Sequence, residues 1–219
     1  MRREMRRRAA LLLSACGLLA ASALGATPAS ADEGTATDAG GWQRVDAQLM
    51  EELLAEAGAE ETASALAAGD EESEILPWAI QSSRNGRFVA AELRYSAPNT
   101  GALRARSALP SGAWEDFDLV WDEASESITL RSLANGRYVA TERNYPGTSA
   151  GLLRARSATV GGWERFWLYW NEETGTYAFQ SWANGLFVAM EYTRTGTLQY
   201  ALRSRSEWIN GSWEEFWLY

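Results

Sequence analysis

Apolar and polar residues alternate in short runs along the C-terminal two thirds of the chain, and these runs recur at a fixed spacing. One landmark has the form Asn-Gly-x-Phe/Tyr-Val-Ala-x-Glu and begins at Asn85, Asn135 and Asn184, so that its starts lie 50 and then 49 residues apart. A second landmark, Trp-Glu-x-Phe, begins at Trp114, Trp163 and Trp213 and keeps the same period. Two landmarks that share one period indicate three copies of a whole folding unit.

Each repeat carries four short strand patterns. In repeat one they cover residues 79–82, 87–92, 103–107 and 117–120. Asn-Gly between the first two is a tight-turn dipeptide, because both residues tolerate positive φ. Four strands in three repeats of about fifty residues predict an all-β fold, a β-trefoil of twelve strands in which a six-stranded barrel is capped by three hairpins.

The segment that precedes the repeats predicts a short acidic helix. Residues 32–41 are small and polar, and then Val45, Leu49, Leu53 and Leu54 recur at helical spacing before Gly58. Residues 59–68 could form a second short helix. One narrow apolar stripe cannot form a domain, so the segment docks on the repeats, binds another molecule or stays loose, and we expect docking. The predicted units are residues 1–31, 32–74 (the leader) and 75–219 (the repeat domain).

Residues 1–31 have the layout of a secretory signal peptide. Five arginines precede an apolar run over residues 9–26, and Ala29-Ser30-Ala31 is a small-residue cleavage site. The predicted location is therefore secreted and extracellular. As an alternative, Leu13-Ser14-Ala15-Cys16 resembles a lipoprotein signal, and lipidation of Cys16 would anchor the protein at the cell surface. The apolar run continues beyond Cys16, which favours cleavage after Ala31.

Composition and charge remove several classes of function. The chain has no histidine, all of its 20 basic residues are arginine, and Cys16 is the one cysteine. A Ser-His-Asp triad and thiol chemistry are therefore excluded, and we expect no cofactor and no metal. Formal charge is −12 over residues 32–74 but −1 over residues 75–219. A nearly neutral repeat domain gives no reason to expect nucleic acid as a partner. A membrane contact would require lipidation of Cys16. We expect the protein to be a monomer.

The repeats resemble the fascin-like, or actin-cross-linking-like, β-trefoil family in a bacterial secreted form. Repeat two carries the resemblance best, at residues 130–142, 153–156 and 161–166. The resemblance implies a trefoil fold, and for bacterial relatives an accessory carbohydrate-binding role beside secreted enzymes. Gln180-Ser181-Trp182 spells the Gln-x-Trp of ricin-type lectins, but it occurs once and on the wrong strand, so we interpret it as chance.

Charged residues also recur once per repeat. The glutamates are Glu92, Glu142 and Glu191, and then Glu115, Glu164 and Glu214; the arginine pairs are Arg104 and Arg106, Arg154 and Arg156, and Arg203 and Arg205. A catalytic acid pair needs two carboxylates in unlike environments, whereas threefold repetition gives like ones. We therefore expect the glutamates to be structural, and either to accept hydrogen bonds or to pair with arginine. An anion site at the arginines is the alternative.

Aromatic residues are the strongest functional signal. The recurring Trp114, Trp163 and Trp213, with their Phe partners, are predicted to lie in the core. On the fourth strands of repeats two and three, alternation points Trp167, Tyr169, Trp217 and Tyr219 outward, where they could stack on sugar rings unless the leader helix covers them. The loop residues Tyr95 and Tyr145 form a second candidate set. Repeat three has Arg194 at that position, with Tyr192 and Tyr200 nearby.

These observations predict a non-catalytic secreted protein that binds polysaccharide or glycan through exposed aromatic side chains. A protein-binding module of the actin-filament-binding or cross-linking type is the alternative. A glycan-active hydrolase that uses paired carboxylates is the third hypothesis.

Overall fold

The structure, a computed structural model, describes residues 40–56 and 77–219. The predicted signal peptide, Cys16 and the second leader helix lie outside these residues. Within them, one helix, α1 (Ala47–Glu56), accompanies thirteen strands. The strands are β1 (Trp42–Arg44), β2 (Trp78–Ser82), β3 (Phe88–Glu92), β4 (Ala102–Ser107), β5 (Asp116–Asp122), β6 (Ser127–Ser132), β7 (Arg137–Glu142), β8 (Leu152–Ser157), β9 (Arg165–Asn171), β10 (Thr176–Ser181), β11 (Phe187–Met190), β12 (Leu202–Ser206) and β13 (Phe216–Leu218).

The prediction of a twelve-stranded β-trefoil is wrong in strand number and in closure. The described residues place thirteen strands in one antiparallel sheet, and ten of them close a ring in the order β9-β10-β11-β12-β8-β4-β3-β2-β5-β6. The ring contains more strands than predicted because strands of different repeats also pair with one another. Strand β4 pairs with β8 through Ala102 and Arg154, and β12 pairs with β8 through Arg203 and Leu152. Strand β13 pairs with both β10 and β2, and it thereby closes a shorter circuit through β2, β5, β6, β9, β10 and β13.

The thirteenth strand comes from the leader, where the sequence predicted a helix alone. Strand β1 runs antiparallel to β9, with Trp42 opposite Asn171 and Arg44 opposite Tyr169. Three residues after a Gly-Gly pair are too few to show the period-two alternation that predicts a strand. The leader therefore contributes a strand to the sheet before its helix begins.

The leader docks on the repeat domain, as expected. Val45 is fully buried and Met50 nearly so, and both belong to the main core cluster, against which Leu49 and Leu53 also pack. The side chain of Asp46 caps α1 by accepting the Leu49 N–H at 2.8 Å. Leu49 and Leu53 of the predicted apolar stripe thus face the core from α1, and Val45 faces it from just before the helix.

Substitution of Val45 tests the docking. Val45→Ala removes two methyl groups from a fully buried site and is expected to lower the free energy of unfolding by about 2 kcal/mol. The measurement is chemical denaturation of the full chain, with Gln48→Ala, at an exposed position of α1, as the matched control. Docking would be refuted if the two variants unfolded at the same denaturant concentration as the unmodified protein.

The core lies inside the ring and is built from recurring positions. Phe117, Phe166 and Phe216 begin the last strand of each repeat and are fully buried. The Asn-Gly landmark forms the predicted turn, with Gly86, Gly136 and Gly185 at φ between +64° and +70°. Its asparagine has a second role, since Asn85 Nδ2 donates to the carbonyl of Ala105 at 2.9 Å and the other repeats repeat this bond. The landmark therefore joins the turn to the third strand of its repeat.

Candidate functional site

The candidate aromatics on β9 point away from the core, as alternation predicts, but the leader covers them. Tyr169 is 6% exposed and packs edge-on against Phe187, with ring centroids 5.2 Å apart. Trp42 of β1 belongs to the same cluster. Trp167 is half-buried between Trp182, at 5.3 Å, and the guanidinium of Arg44, at 5.1 Å. The cover is a strand, whereas the sequence suggested a helix.

Tyr169 and the matching Tyr219 of repeat three both take part in turn formation. The hydroxyl of Tyr169 donates to Gln180 Oε1 at 2.8 Å, and that of Tyr219 donates to Gln81 Oε1 at 2.9 Å. Each glutamine amide then donates to the glycine carbonyl of the adjacent Asn-Gly turn. Burial raises the pKa of the Tyr169 hydroxyl. Trp217, beside Tyr219, is half-buried and pairs with Gln81 in β2.

Tyr95 and Tyr145 are half-buried and belong to polar networks. The hydroxyl of Tyr145 accepts from Arg154 Nη1 and donates to the carbonyl of Pro98 at 3.1 Å. Tyr95 accepts from Arg104 in the same way, and in both pairs the guanidinium carbon lies 5.7 Å from the ring centroid. Each tyrosine is therefore held by the arginine of its own repeat, and Tyr145 also contacts the loop of repeat one.

Three of the six recurring glutamates, Glu92, Glu142 and Glu191, pair with arginine, as predicted. Glu142 is 3% exposed and accepts from Arg154 at 3.0 Å and from Arg156. Glu92 and Glu191 make equivalent pairs in their own repeats. The hydrogen bond to Glu142 raises the pKa of Arg156, and Glu92 has the same effect on Arg106. Each buried carboxylate is thus neutralised by two guanidiniums.

These networks also join the repeats to one another. Arg154 Nε donates to the carbonyl of Thr100 in repeat one at 2.8 Å, and Arg203 Nε donates to Ala150 in repeat two at 2.8 Å. Arg104 Nε closes the cycle on Gln199 in repeat three at 2.6 Å. The first arginine of each pair therefore works as a structural link between neighbouring repeats.

An aromatic cluster at the junction of repeats three and one presents more open surface than the predicted candidates. Tyr192 is 43% exposed and stands edge-on to Trp213, with ring centroids 6.0 Å apart, and the centroid of the Tyr200 ring lies 5.8 Å from that of Tyr192. Arg84 places its guanidinium 5.1 Å from the Tyr192 ring and 4.8 Å from Trp213. We call Arg84, Tyr192, Tyr200 and Trp213 the repeat-three platform.

Two local substitutions explain why the platform forms in repeat three. Tyr192 follows Glu191 where repeat one has Leu93, which packs on the core, and repeat two has the exposed Arg143. Tyr200 occupies the position of Gly101 and Gly151 and keeps their left-handed backbone, at φ +63°. A non-glycine residue at such a φ is uncommon. The sequence signal was available in this glycine-to-tyrosine change.

Trp213 was assigned to the core from sequence, and that prediction is wrong for all three recurring tryptophans. Trp114, Trp163 and Trp213 are half-buried. Their backbone carbonyls accept N–H groups from the second strand of the same repeat, and an arginine stacks on each ring. The recurring hydrogen bond at this position thus uses the backbone carbonyl of the tryptophan. One face of the tryptophan ring is left near the surface.

Among residues 40–56 and 77–219, no group of three or more acidic, histidine or cysteine side chains is arranged to hold a metal ion. In the same part of the chain, the helix falls short of the length and hydropathy needed to cross a bilayer.

Comparisons with known proteins identify the fold. No protein-family model and no curated protein matches the chain. Among solved structures, a designed threefold-symmetric protein, ThreeFoil, is similar with a TM-score of 0.53 and 15% identity, over 65% of this chain and 96% of its own. A mosquitocidal holotoxin is similar with a TM-score of 0.54 and 11% identity, over 66% of this chain and 17% of its own.

An endo-β-galactosidase from Clostridium perfringens that releases GlcNAcα1-4Gal is also similar, with a TM-score of 0.50 and 10% identity, over 65% of this chain and 31% of its own. The chain therefore spans about a sixth of the holotoxin and about a third of the galactosidase. The fold is trefoil-like. These likenesses do not separate the fascin-like family from other proteins of that fold, so the family resemblance stays a prediction.

Proposed function

We propose that this chain is a non-catalytic, secreted carbohydrate-binding protein, and that the repeat-three platform is its principal binding surface. The observation that carries the proposal is the half-exposed ring of Tyr192, which contacts Trp213 and Tyr200 and carries the Arg84 guanidinium over its ring. A flat, rigid aromatic face with a polar partner at its edge suits the apolar C–H face of a sugar ring. The fold-level likeness to a glycan-releasing enzyme is compatible with this function.

The geometry of the carboxylates favours binding over hydrolysis. Each of Glu92, Glu142 and Glu191 is already shared by two arginines. The glutamates of the Trp-Glu landmark are also bonded within the fold, since Glu115 accepts from Ser107, Glu164 from the Gly161 N–H and Glu214 from Ser206. An acid catalyst and its partner need unlike environments, and these carboxylates do not provide them.

Removal of the Tyr192 ring tests the proposal. In the full-length protein, Tyr192→Ala is expected to weaken binding to a glycan array or to insoluble polysaccharides at least about tenfold, because that factor corresponds to about 1.4 kcal/mol of lost contact. Arg143→Ala is the matched control, since Arg143 is exposed and occupies the same loop position in repeat two. It is expected to bind as the unmodified protein does.

Two results would contradict the proposal. One is equal binding by Tyr192→Ala and Arg143→Ala. The other is a blank glycan array and polysaccharide pull-down together with positive co-sedimentation with actin filaments, which would favour the protein-binding alternative.

A further inference from the structure

A surface cavity of about 610 Å³ lies beside the loop that joins β4 to β5 in repeat one. Sites for small ligands have volumes of about 300–1,000 Å³, so the cavity is large enough for a sugar residue. Its walls include Arg106 of β4, Leu109 and Gly112 of the loop, and Trp114 and Glu115 of the Trp-Glu landmark. The cavity shares no residue with the repeat-three platform and is therefore a separate surface.

Glu115 differs from its two counterparts in what its second carboxylate oxygen meets. In repeats two and three, a loop N–H donates to Oε2 of Glu164 at 2.8 Å and to Oε2 of Glu214 at 3.1 Å. Within the described part of the chain, the side chain of Glu115 has one hydrogen-bond partner, Ser107, which donates to Oε1 at 2.7 Å. The loop of repeat one therefore does not supply the backbone donor that occupies Oε2 in the other two repeats.

This second oxygen of Glu115 opens to the cavity. Glu115 is 6% exposed, and none of its side-chain oxygens is both sealed from solvent and without a partner. Since Glu115 lines the cavity, its Oε2 meets solvent there. A ligand hydroxyl that donates to this oxygen would form a charge-assisted hydrogen bond, which is about twice as strong as a neutral one.

The other walls add a donor and apolar surface. Glu92 accepts from Nε of Arg106, and from its Nη2 at 3.3 Å. Among the described residues, Arg106 Nη1 has no hydrogen-bond partner, so it can donate to a ligand oxygen. Trp114 is half-buried, and Leu109 is 60% exposed although it is a large aliphatic residue. A ligand in the cavity would cover part of this apolar surface.

The charges beside the cavity already balance. Glu92 and Glu115 carry two negative charges, and Arg104 and Arg106, which both pair with Glu92, carry two positive ones. The hydrogen bond to Glu92 raises the pKa of Arg106, and the nearby charge of Glu115 adds to that rise. A neutral ligand that offers hydroxyl groups therefore suits the cavity better than an ion does.

We propose that this cavity is a second saccharide site, which takes a neutral sugar residue. Its hydroxyl groups bind Oε2 of Glu115 and Nη1 of Arg106, and its apolar side contacts Trp114 and Leu109. Glu115 is the one carboxylate among the lining residues, so the site binds without the acid pair that hydrolysis needs. The inference rests on the proposed carbohydrate-binding function for its ligand class. It adds a second point of attachment for a polysaccharide.

The experiment fills the cavity with a side chain. Nothing lies within 4 Å of a Cβ atom added at Gly112, so Gly112→Phe is expected to fold and to occupy the space beside Trp114. Binding of the full-length protein to dextran, galactomannan and alginate is measured by affinity electrophoresis. Gly112→Phe is expected to lose at least about tenfold in affinity for a neutral polymer that the unmodified protein binds, because the polymer loses one of two attachment points. Binding to the anionic alginate should not change.

Gly162→Phe is the matched control. Gly162 lies in the corresponding loop of repeat two and also has nothing within 4 Å of an added Cβ atom. This variant is expected to bind as the unmodified protein does.

A second variant removes the acceptor and leaves the cavity in place. Glu115→Gln keeps an oxygen for the Ser107 hydroxyl and places an amide donor where Oε2 stood. It is expected to lose at least about tenfold in affinity for the same neutral polymer. The thermal transition of each variant shows whether it folds, and Glu115→Gln decides the matter if Gly112→Phe does not.

The outcomes separate this inference from the proposed function. Equal binding of the neutral polymers by Gly112→Phe and Gly162→Phe would overturn the inference, and so would a loss confined to alginate. Carbohydrate binding at the platform would still stand if Tyr192→Ala weakened binding. A loss in Gly112→Phe without a loss in Tyr192→Ala would uphold the cavity and overturn the platform. Binding to none of these polymers, together with a blank glycan array, would overturn both.

Discussion

Replacement of Glu142 by alanine is expected to lower the free energy of unfolding by about 3–5 kcal/mol, because it leaves two guanidiniums without their counter-ion. Glu142 is 3% exposed and accepts from Arg154 and Arg156. Arg154 also holds the carbonyl of Thr100 in repeat one. Loss of the carboxylate therefore weakens one repeat and its junction with another. The measurement is equilibrium denaturation followed by tryptophan fluorescence.

Two further variants define the origin of that loss. Glu142→Gln keeps one acceptor oxygen for the arginines and is expected to cost less than Glu142→Ala. Glu172→Ala removes an exposed carboxylate just after β9 and is expected to change stability by less than about 0.5 kcal/mol. A Glu142→Ala protein as stable as the Glu172→Ala protein would show that the buried network contributes no net stability.

The sequence predicted those parts of the fold that recur in each repeat. The Asn-Gly turns and the pairing of Glu142 with arginine depend on residues that share one repeat or adjacent strands, and the fifty-residue period exposes them three times. Strand β1 occurs only once in the chain, and its three residues are too few to show the alternation that predicts a strand. Its partner β9 is more than a hundred residues away, so no local pattern could predict that Tyr169 would be covered.

The same reason explains why the repeat-three platform was missed. Tyr192 and Tyr200 were recognised as neighbours in one loop. Arg84, however, belongs to repeat one, and its contact with Trp213 joins repeat one to repeat three. Regularity also misled, since a tryptophan that recurs in every repeat suggested a core position, whereas each of the three rings is half-buried and has an arginine stacked on it. Departures from the repeat, such as Tyr192 and Tyr200, carried the information about a site.

Substitution of Gly151 by alanine is expected to cost about 2–5 kcal/mol, the sum of a left-handed backbone penalty and an overpacking penalty. Gly151 has φ +77°, and a Cβ atom there would lie 2.3 Å from the carbonyl oxygen of Ser204 in repeat three. The two backbones are tied together, since the Ser204 N–H donates to the Gly151 carbonyl at 2.8 Å. The clash is with backbone, so a side-chain rotation cannot relieve it.

Gly147→Ala is the matched control, because Gly147 also has positive φ, +56°, but has nothing within 4 Å of its would-be Cβ atom. It is expected to cost about 1–2 kcal/mol from the backbone penalty alone. Equal losses for the two variants, measured by denaturation, would contradict a close approach between repeats. A larger loss at Gly151 would show that this junction requires glycine. Tyr200, at the aligned position of repeat three, keeps the same left-handed backbone and packs against the main core cluster.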